Sequence, residues 1–545
     1  MVTTVWWNDA INCALWHEEN ALNQLQAQSH EFWASEFTVA ESDVEQLYNH
    51  FLEAQLPQAA DDLAQVIIAH RVAEESNRIK QLLSGRTIYQ PQSTFEVGEE
   101  LVFPALKYAF GSIQSTRQGY DPRYGHYDVI AVEIGGRVRE FASNLPGEHQ
   151  LNQSNGEESD PFVDVDLDDL VERFGPMVAK TTERALEESE EFILLSDLWF
   201  VRGLMAEVNI GHLHLAEAIL EVNEGGPLPT EKIMADLDMD AGLASEVRRF
   251  SLDYALLGDE RFDEVGPPGR IEWFLHRLEP DAVRVVPERL RYSSMSFDRA
   301  LLSPQLLLLE RELDDEWSDL TPETVAQPTI LSLTYPHRWA GTLPLSARTS
   351  PLFPTGTSPR QRIVLVDESD GEEIVAWVVK EHRYVFGLKK WYQKNKLPVG
   401  GFVTLKPGPN TGVVLIDFDR RRAKREWVRL ASIVDNQIDF ELERRSVGCG
   451  YDELLIVGTD YVTALDALAR RFEASQRSLG SLLVSIFPRL AKLNPQETVH
   501  TKTLYSALNM VRRLPPGPLF AELIKNPAFQ PVGDHYWHYD KSRAR

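Results

Sequence analysis

A chain of 545 residues with 43% apolar and 10% aromatic side chains can build several cores, and a formal net charge of −28 argues against a protein that coats nucleic acid indiscriminately. No uncharged apolar run reaches the roughly 18 residues of a membrane span. The first nine residues also lack a basic segment followed by an apolar one, so a cytoplasmic protein with no membrane partner is expected. Two cysteines, Cys13 and Cys449, are too few for a disulfide framework or a cysteine-rich zinc site.

Residues 1–90 read as a helical domain. Leu22, Leu25, Phe37, Val39, Val44, Leu47, Tyr48 and Phe51 recur at helical spacing, a pattern of packing or docking surface rather than chemistry. Over 93–150 the period changes to two. Strands at 101–104 and 111–117 precede a hairpin in which 127–134 pairs with 138–141 across Gly135-Gly136. This segment resembles the small Tudor- or KOW-like five-stranded β-barrels, which implies binding to RNA polymerase partners, nucleic acid or peptide tails. Its tyrosine-rich stretch 119–127, with Tyr120, Tyr124 and Tyr127, reads as a loop that either lines a binding pocket or covers the barrel mouth. Residues 151–205 read as an acidic linker and helices. The run Asp160, Asp164, Asp166, Asp168, Asp169 lacks the glycine and closing glutamate of a calcium loop, so a solvated surface is expected and no metal.

Within 206–280 three helices are expected: 213–222, one starting at 229–232 with Thr230 as N-cap and running to Leu237, and 243–257. Strands 261–266 and 270–275 follow across Pro267-Pro268-Gly269. Three helices and a hairpin make a winged-helix pattern. Asp259-x-x-Phe262-x-x-Val265-Gly266 with Trp273 beyond recurs as Asn526-x-x-Phe529-x-x-Val532-Gly533 with Trp537 beyond, so a second copy is expected within 446–545. Both segments resemble the HARE-HTH winged helix of the bacterial RNA polymerase delta subunit, of restriction-associated proteins and of chromatin proteins. The resemblance implies DNA contact through Arg248, Arg249 and Arg270 in the first copy and Lys502, Arg512 and Arg513 in the second. The first copy is also rich in acid, which fits a protein-docking wing as well.

Residues 281–325 read as a helical connector, with Leu306 to Leu309 as a buried turn or strand. In 326–445 lies the main departure from the acidic whole. From Trp377 to Leu430, 13 Lys/Arg face 4 Asp/Glu, a net +9 that leaves −37 for the remainder. Alternating apolar runs at 375–379, 402–405 and 413–418, punctuated by Gly400-Gly401 and 407–412, read as a small β-barrel. Between them Lys389, Lys390, Lys394 and Lys396 interleave with Trp391 and Tyr392. Such a stretch is either a polyanion-binding face or a solvated lysine-rich loop over core aromatics. Tyr384-Val385-Phe386-Gly387, Trp391, Asn395, Leu397 and Gly400 to Leu405, about a tenth of the chain, resemble the pseudobarrel DNA-binding domain of plant transcription factors and of some restriction endonucleases. The resemblance implies that these lysines lie near a duplex. The cluster Arg420, Arg421, Arg422, Lys424 and Arg425 lies outside it and is a phosphate candidate on charge alone.

No Walker A loop, dinucleotide fingerprint, nucleophile elbow or zinc-helix histidine pair is present. His212 and His214, two apart, read as surface or core histidines. Asp367, Glu373 and Lys380 have the residue types of a nuclease core at the wrong spacing. The expectation is therefore an α+β multidomain protein with a helical N-terminus, two small β-barrels and two winged helices. It would have no active site, metal or cofactor, and would hold double-stranded DNA in a transcription-related role. The rivals are an acidic adaptor docking on RNA polymerase or another protein, and a restriction or defence component with a metal-dependent nuclease site.

Overall fold

A computed structural model describes residues 29–543, except 84–85, 104–105, 107–108, 147–150, 152–165, 323, 325–327, 354–355 and 357. Leu22, Leu25, Cys13, Asp160 and Asp164 lie outside the described residues. The chain mixes helices with several separate sheets and divides into two compact units, Met1–Glu207 with Met239–Ser251, and Val208–Asp238 with Leu252–Arg545.

In the first unit, α1 (Glu41–Ala54) starts where the Ala40 amide donates to Asp43, a carboxylate buried against Arg71. Strand β1 (Gln58–Ala59) runs directly into α2 (Ala60–Leu83). A five-stranded sheet comes next in the chain, with β2 (Thr87–Ile88), β3 (Glu100–Phe103), β4 (Ala109–Asp121), β5 (Gly125–Ile134) and β6 (Arg137–Ser143) in sequence order. Tyr89, Phe95, Leu101, Phe103, Ile113, Ile130 and Val132 form its core, and Tyr89 Oη donates to the Ala142 carbonyl. The stretch 119–127 is no loop: β4 and β5 stay paired out to Asp121 and Gly125. Tyr120, 65% exposed, packs on His126 in solvent and covers no core. Helix α3 (Leu167–Glu187), capped by Asp166, leads to β7 (Phe192–Leu195) and β8 (Leu198–Val201), which join β1 in a sheet of order β1-β8-β7.

Helix, strand, helix, helix, strand, strand is thus the order of this first module, with the five-stranded sheet inserted between its second and third helices. The order recurs twice. In the second module it is α4 (Ile210–Val222), β9 (Leu228–Pro229), α5 (Thr230–Met234), α6 (Ser245–Leu257), β10 (Phe262–Glu264) and β11 (Glu272–Leu275), with sheet order β10-β11-β9. The division between the two units falls within α6. The third module, near the C-terminus, is taken up below.

Three local details repeat with the order. A tryptophan on the last strand pairs with the residue two before the second helix: Trp199 with Gln58, Trp273 with Leu228, Trp537 with Val499. A buried phenylalanine opens the fifth element as Phe192, Phe262 and Phe529. Three residues before it, Ser189, Asp259 and Asn526 each accept a bond from the backbone amide two residues on. Sequence similarity marks only the second and third modules, because the insertion separates the halves of the first. Thr230 is the first residue of α5 rather than its cap; its hydroxyl bonds inward to Asp253.

In the second unit the run Leu306 to Leu309 lies in a helix, α7 (Pro304–Leu313), capped by Ser303, not in a turn or strand. Next comes a seven-stranded mixed sheet. Its strands are β12 (Thr329–Ser332), β13 (Thr342–Pro344), β14 (Arg360–Asp367), β15 (Glu373–Val379), β16 (Tyr384–Phe386), β17 (Phe402–Pro407) and β18 (Val413–Phe418). The order is β12-β17-β18-β14-β15-β16-β13, with β14 and β18 parallel. Two short helices belong to it, α8 (Tyr335–Ala340) and α9 (Lys389–Lys394). Gly341, at φ +74°, ends α8 against the start of α9, where a Cβ would meet the Lys389 Cβ at 2.6 Å. Trp391 and Tyr392 are buried in this sheet's core.

The chain then makes a long hairpin, β19 (Arg420–Val434) with β20 (Gln437–Cys449), turned at Asp435-Asn436, both at positive φ. Strand β21 (Val457–Gly458) adds to β19, and α10 (Val462–Ala474) follows. The third module then comprises α11 (Leu479–Ala491), β22 (Thr498–His500), α12 (Thr501–Leu508), α13 (Pro516–Lys525), β23 (Phe529–Gly533) and β24 (Tyr536–Tyr539). Its sheet order is β22-β24-β23.

Candidate nucleic-acid interface

The hairpin β19–β20 packs into two cores and leaves one stretch of each strand exposed. Near the turn, Ala431, Ile438 and Phe440 join the core of the third module; nearer the other end, Val428, Leu430, Val447 and Cys449 join the core of the seven-stranded sheet. The exposed stretches are staggered: 421–425 on β19 lie along the part paired with Ser446 to Cys449, and 441–444 on β20 lie opposite 427–430, where Val428 and Leu430 are buried. Alternation places Arg425, Trp427 and Arg444 on one face and Lys424, Glu426 and Arg445 on the other. Trp427 is 56% exposed with the Arg444 guanidinium 5.0 Å above its ring. An indole held flat by a cation and open to solvent is unusual in a protein that buries most of its other large aromatics.

Helix α9 and the start of the ribbon meet at one carboxylate. Asp367, 1% exposed, accepts from Trp391 Nε1 at 2.7 Å and from Arg420 Nη2 at 3.1 Å. Burial alone would raise its pKa, but hydrogen bonds from Ser369 and Trp391 outweigh burial and hold it below the usual carboxylate range. Trp391 also packs edge-on against Phe418, the last residue of β18. The two basic segments are therefore tied to the same end of β14.

Within these segments the cations divide into two groups. Lys389, Lys390 and Lys396 on and beside α9, and Arg422, Lys424 and Arg425 on β19, are exposed and have no acidic partner among the described residues. Lys394 is held by Asp370 at 2.8 Å and Glu372 at 2.5 Å, which raise its pKa. Arg420 pairs with Asp367 and Asp417, and Arg421 with Asp419 at 2.7 Å. The free set is thus narrower than charge counting along the chain suggests, and it gains Arg444, which the linear sequence places 19 residues past Arg425.

The basic candidates in the repeated modules are mostly committed elsewhere. Arg513, 2% exposed, is gripped by Asp315 at 2.8 Å and Glu316 at 2.7 Å; Lys502, 8% exposed, is held by Asp452 at 2.7 Å and by Glu312. Both are structural, because a cation enclosed in ion pairs cannot reach a phosphate. Helix α13 is buried along most of its length, so the third module has no free third helix to enter a groove. Arg512 is half-buried and donates to the Arg477 carbonyl at 2.7 Å. Arg270 is exposed but paired with Glu272 at 2.6 Å, and Arg248 and Arg249 are half-buried on α6.

Other chemistry-bearing residues are accounted for locally. Lys380 donates to the Gly356 carbonyl, and Asp367 is saturated by donors, so neither resembles a waiting metal ligand. His212 bonds the Asn209 amide and the Asp238 carbonyl, while His214 meets Arg261 at 3.1 Å. Asp263, His276 and Glu279 converge closely enough to ligate a cation, but the Arg360 guanidinium already lies 3.1, 3.2 and 3.3 Å from Asp263, His276 and Glu279. No helix among the described residues is long and apolar enough to cross a membrane. Comparison with protein-family models, with curated proteins and with solved structures gave no match.

Proposed function

We propose that this protein binds double-stranded DNA through the exposed part of the β19–β20 ribbon together with α9, in a transcription-related and non-enzymatic role. One observation carries the reading: unpaired Lys389, Lys390, Lys396, Arg422, Lys424, Arg425 and Arg444 belong to two segments joined at Asp367, in a chain whose net charge is −28. Unpaired cations gain from releasing the counterions of a phosphate chain, whereas cations already paired with carboxylates gain little. The resemblance of Tyr384 to Gly387, Trp391, Asn395, Leu397 and Gly400 to Leu405 to pseudobarrel DNA-binding domains supports this reading. We read the three repeated modules as winged helices, the third serving as packing rather than as a groove reader. The acidic remainder keeps binding local and salt-sensitive.

The test is fluorescence anisotropy of the full chain on a labelled duplex across a salt series. Wild type is expected to bind with a steep negative salt slope, and R422E/K424E/R425E and K389E/K390E/K396E each to lose at least tenfold in affinity with a shallower slope. Unchanged affinity and slope in both triple variants would overturn the proposal. Co-purification of RNA polymerase with a chain that shows no duplex binding would favour the adaptor role instead.

A further inference from the structure

A second concentration of arginine lies away from the ribbon. A cavity of about 350 Å³ opens between the segment 288–293, α10 and the connection 509–513 that follows α12. Its wall carries Arg289, Arg291, Arg470, Arg477, Arg512 and Arg513. Arg289 is neutralised by Asp466, Arg470 by Glu288 at 3.2 Å, and Arg513 by Asp315 and Glu316. That leaves Arg291, Arg477 and Arg512, none with an acidic partner among the described residues, lining the cavity with a single uncommitted carboxylate, Glu473.

Two of these groups are held by neighbours, and Arg291 is exposed. Arg512 is fixed by its bond to the Arg477 carbonyl and by Met295 Sδ at 3.6 Å, and the Arg477 guanidinium lies 4.7 Å over the buried Phe472 ring. Phe472, Met510 and Val511 supply an apolar wall beside them. Three arginines without acidic partners on one cavity wall offer the forked donors that suit the oxygens of a doubly charged phosphate, and the adjoining apolar wall suits a flat or aliphatic body.

We propose that this cavity binds a phosphomonoester with an apolar or heterocyclic body, of about the size of a nucleoside monophosphate. The charge excess explains why the phosphate would bind, since it supplies the anion that the protein itself omits. The volume lies in the range of small-molecule sites. Arg512 belongs here rather than to the duplex surface, and the site is independent of the ribbon. The same chemistry could arrive as a free nucleotide or as the 5′-terminal phosphate of a nucleic-acid strand.

Isothermal titration of the full chain with AMP, inorganic phosphate and a 5′-phosphorylated oligonucleotide tests this, the last in the R422E/K424E/R425E background to remove ribbon binding. The expected result is saturable AMP binding tighter than that of phosphate. Weakening of about tenfold in R291Q and in R477Q, and tightening in E473Q, which removes the opposing charge, are expected as well. Arg291 and Glu473 are exposed, so their replacement leaves folding intact. Preference for the oligonucleotide over AMP would identify a strand end as the source. No saturable binding of any of the three ligands, or AMP affinity unchanged in R291Q and R477Q, would overturn the proposal.

Discussion

Trp273 Nε1 donates to Thr230 Oγ1 across 3.1 Å, and the bond reappears between Trp537 and Thr501 at 3.0 Å. In each case the tryptophan stands on the last strand of a module and the threonine at the first position of its second helix. The first module keeps the tryptophan but has Ala60 at the threonine position, and Trp199 Nε1 has no acceptor among the described residues. A buried indole N–H without an acceptor retains its desolvation cost.

Ala60→Thr should therefore stabilise the first module by about 1 kcal/mol, a typical net hydrogen-bond contribution. Urea denaturation followed by tryptophan fluorescence measures it. A destabilised or unchanged midpoint would mean that Thr cannot reach the indole from that position.

Arg513 should be among the most sensitive positions in the chain. Asp315 accepts from Arg513 and from Tyr505 Oη at 2.5 Å, and Glu316 also meets His337 at 3.2 Å, all buried. Removing the guanidinium strands two buried carboxylates, and such losses cost about 3–5 kcal/mol. Arg513→Met is expected to lower the thermal midpoint sharply, whereas Arg422→Met, on the exposed ribbon, leaves it within about 0.5 kcal/mol of wild type.

Two buried groups bend the stability profile with pH in opposite directions. Burial, then the neighbouring Asp263 charge, push Glu279 up to about 8, so the folded chain holds a proton there that the unfolded chain releases near 4.3. This contribution is complete below that value and is lost as pH rises through about 8. Glu279→Gln, which keeps the neutral form, should show a smaller fall in melting temperature between pH 5.5 and 8.5 than wild type; parallel profiles would exclude the effect.

His500 acts on the acid side. Burial, then His535 and Lys502, push it down to about 4, while an unfolded histidine takes its proton near 6.5. Stability from the neutral ring is present above about 6.5 and is lost as pH falls through 4. His500 also caps α12 by accepting from the Lys502 amide, so His500→Asn keeps a good cap and should flatten the melting profile below pH 6.5.

On the ribbon, charge and stacking can be separated. Trp427→Ala should weaken duplex or single-strand binding by about 1–3 kcal/mol without altering the salt slope, because a ring carries no counterion. Arg422→Ala should make the slope shallower by about 0.9. A change of slope in Trp427→Ala would point to rearrangement of the ribbon instead.

The linear sequence determined what depends on neighbours along the chain: the basic excess at 377–430, the Gly135-Gly136 hairpin, and the paired signatures around Phe262 and Phe529. Charge, period and turn chemistry are local properties, and local properties survive being read in one dimension. Only the tertiary structure decided which cations remain free, because pairing joins Arg513 to Asp315 and Lys502 to Glu312 across nearly two hundred residues, and nothing in a run of letters reports such a partner. The same holds for the first repeated module, whose second and third helices are parted by an inserted sheet, and for the cavity whose arginines come from three separate stretches. Long-range pairing and burial are properties of the folded packing, and they select the exposed groups from among the many that composition supplies.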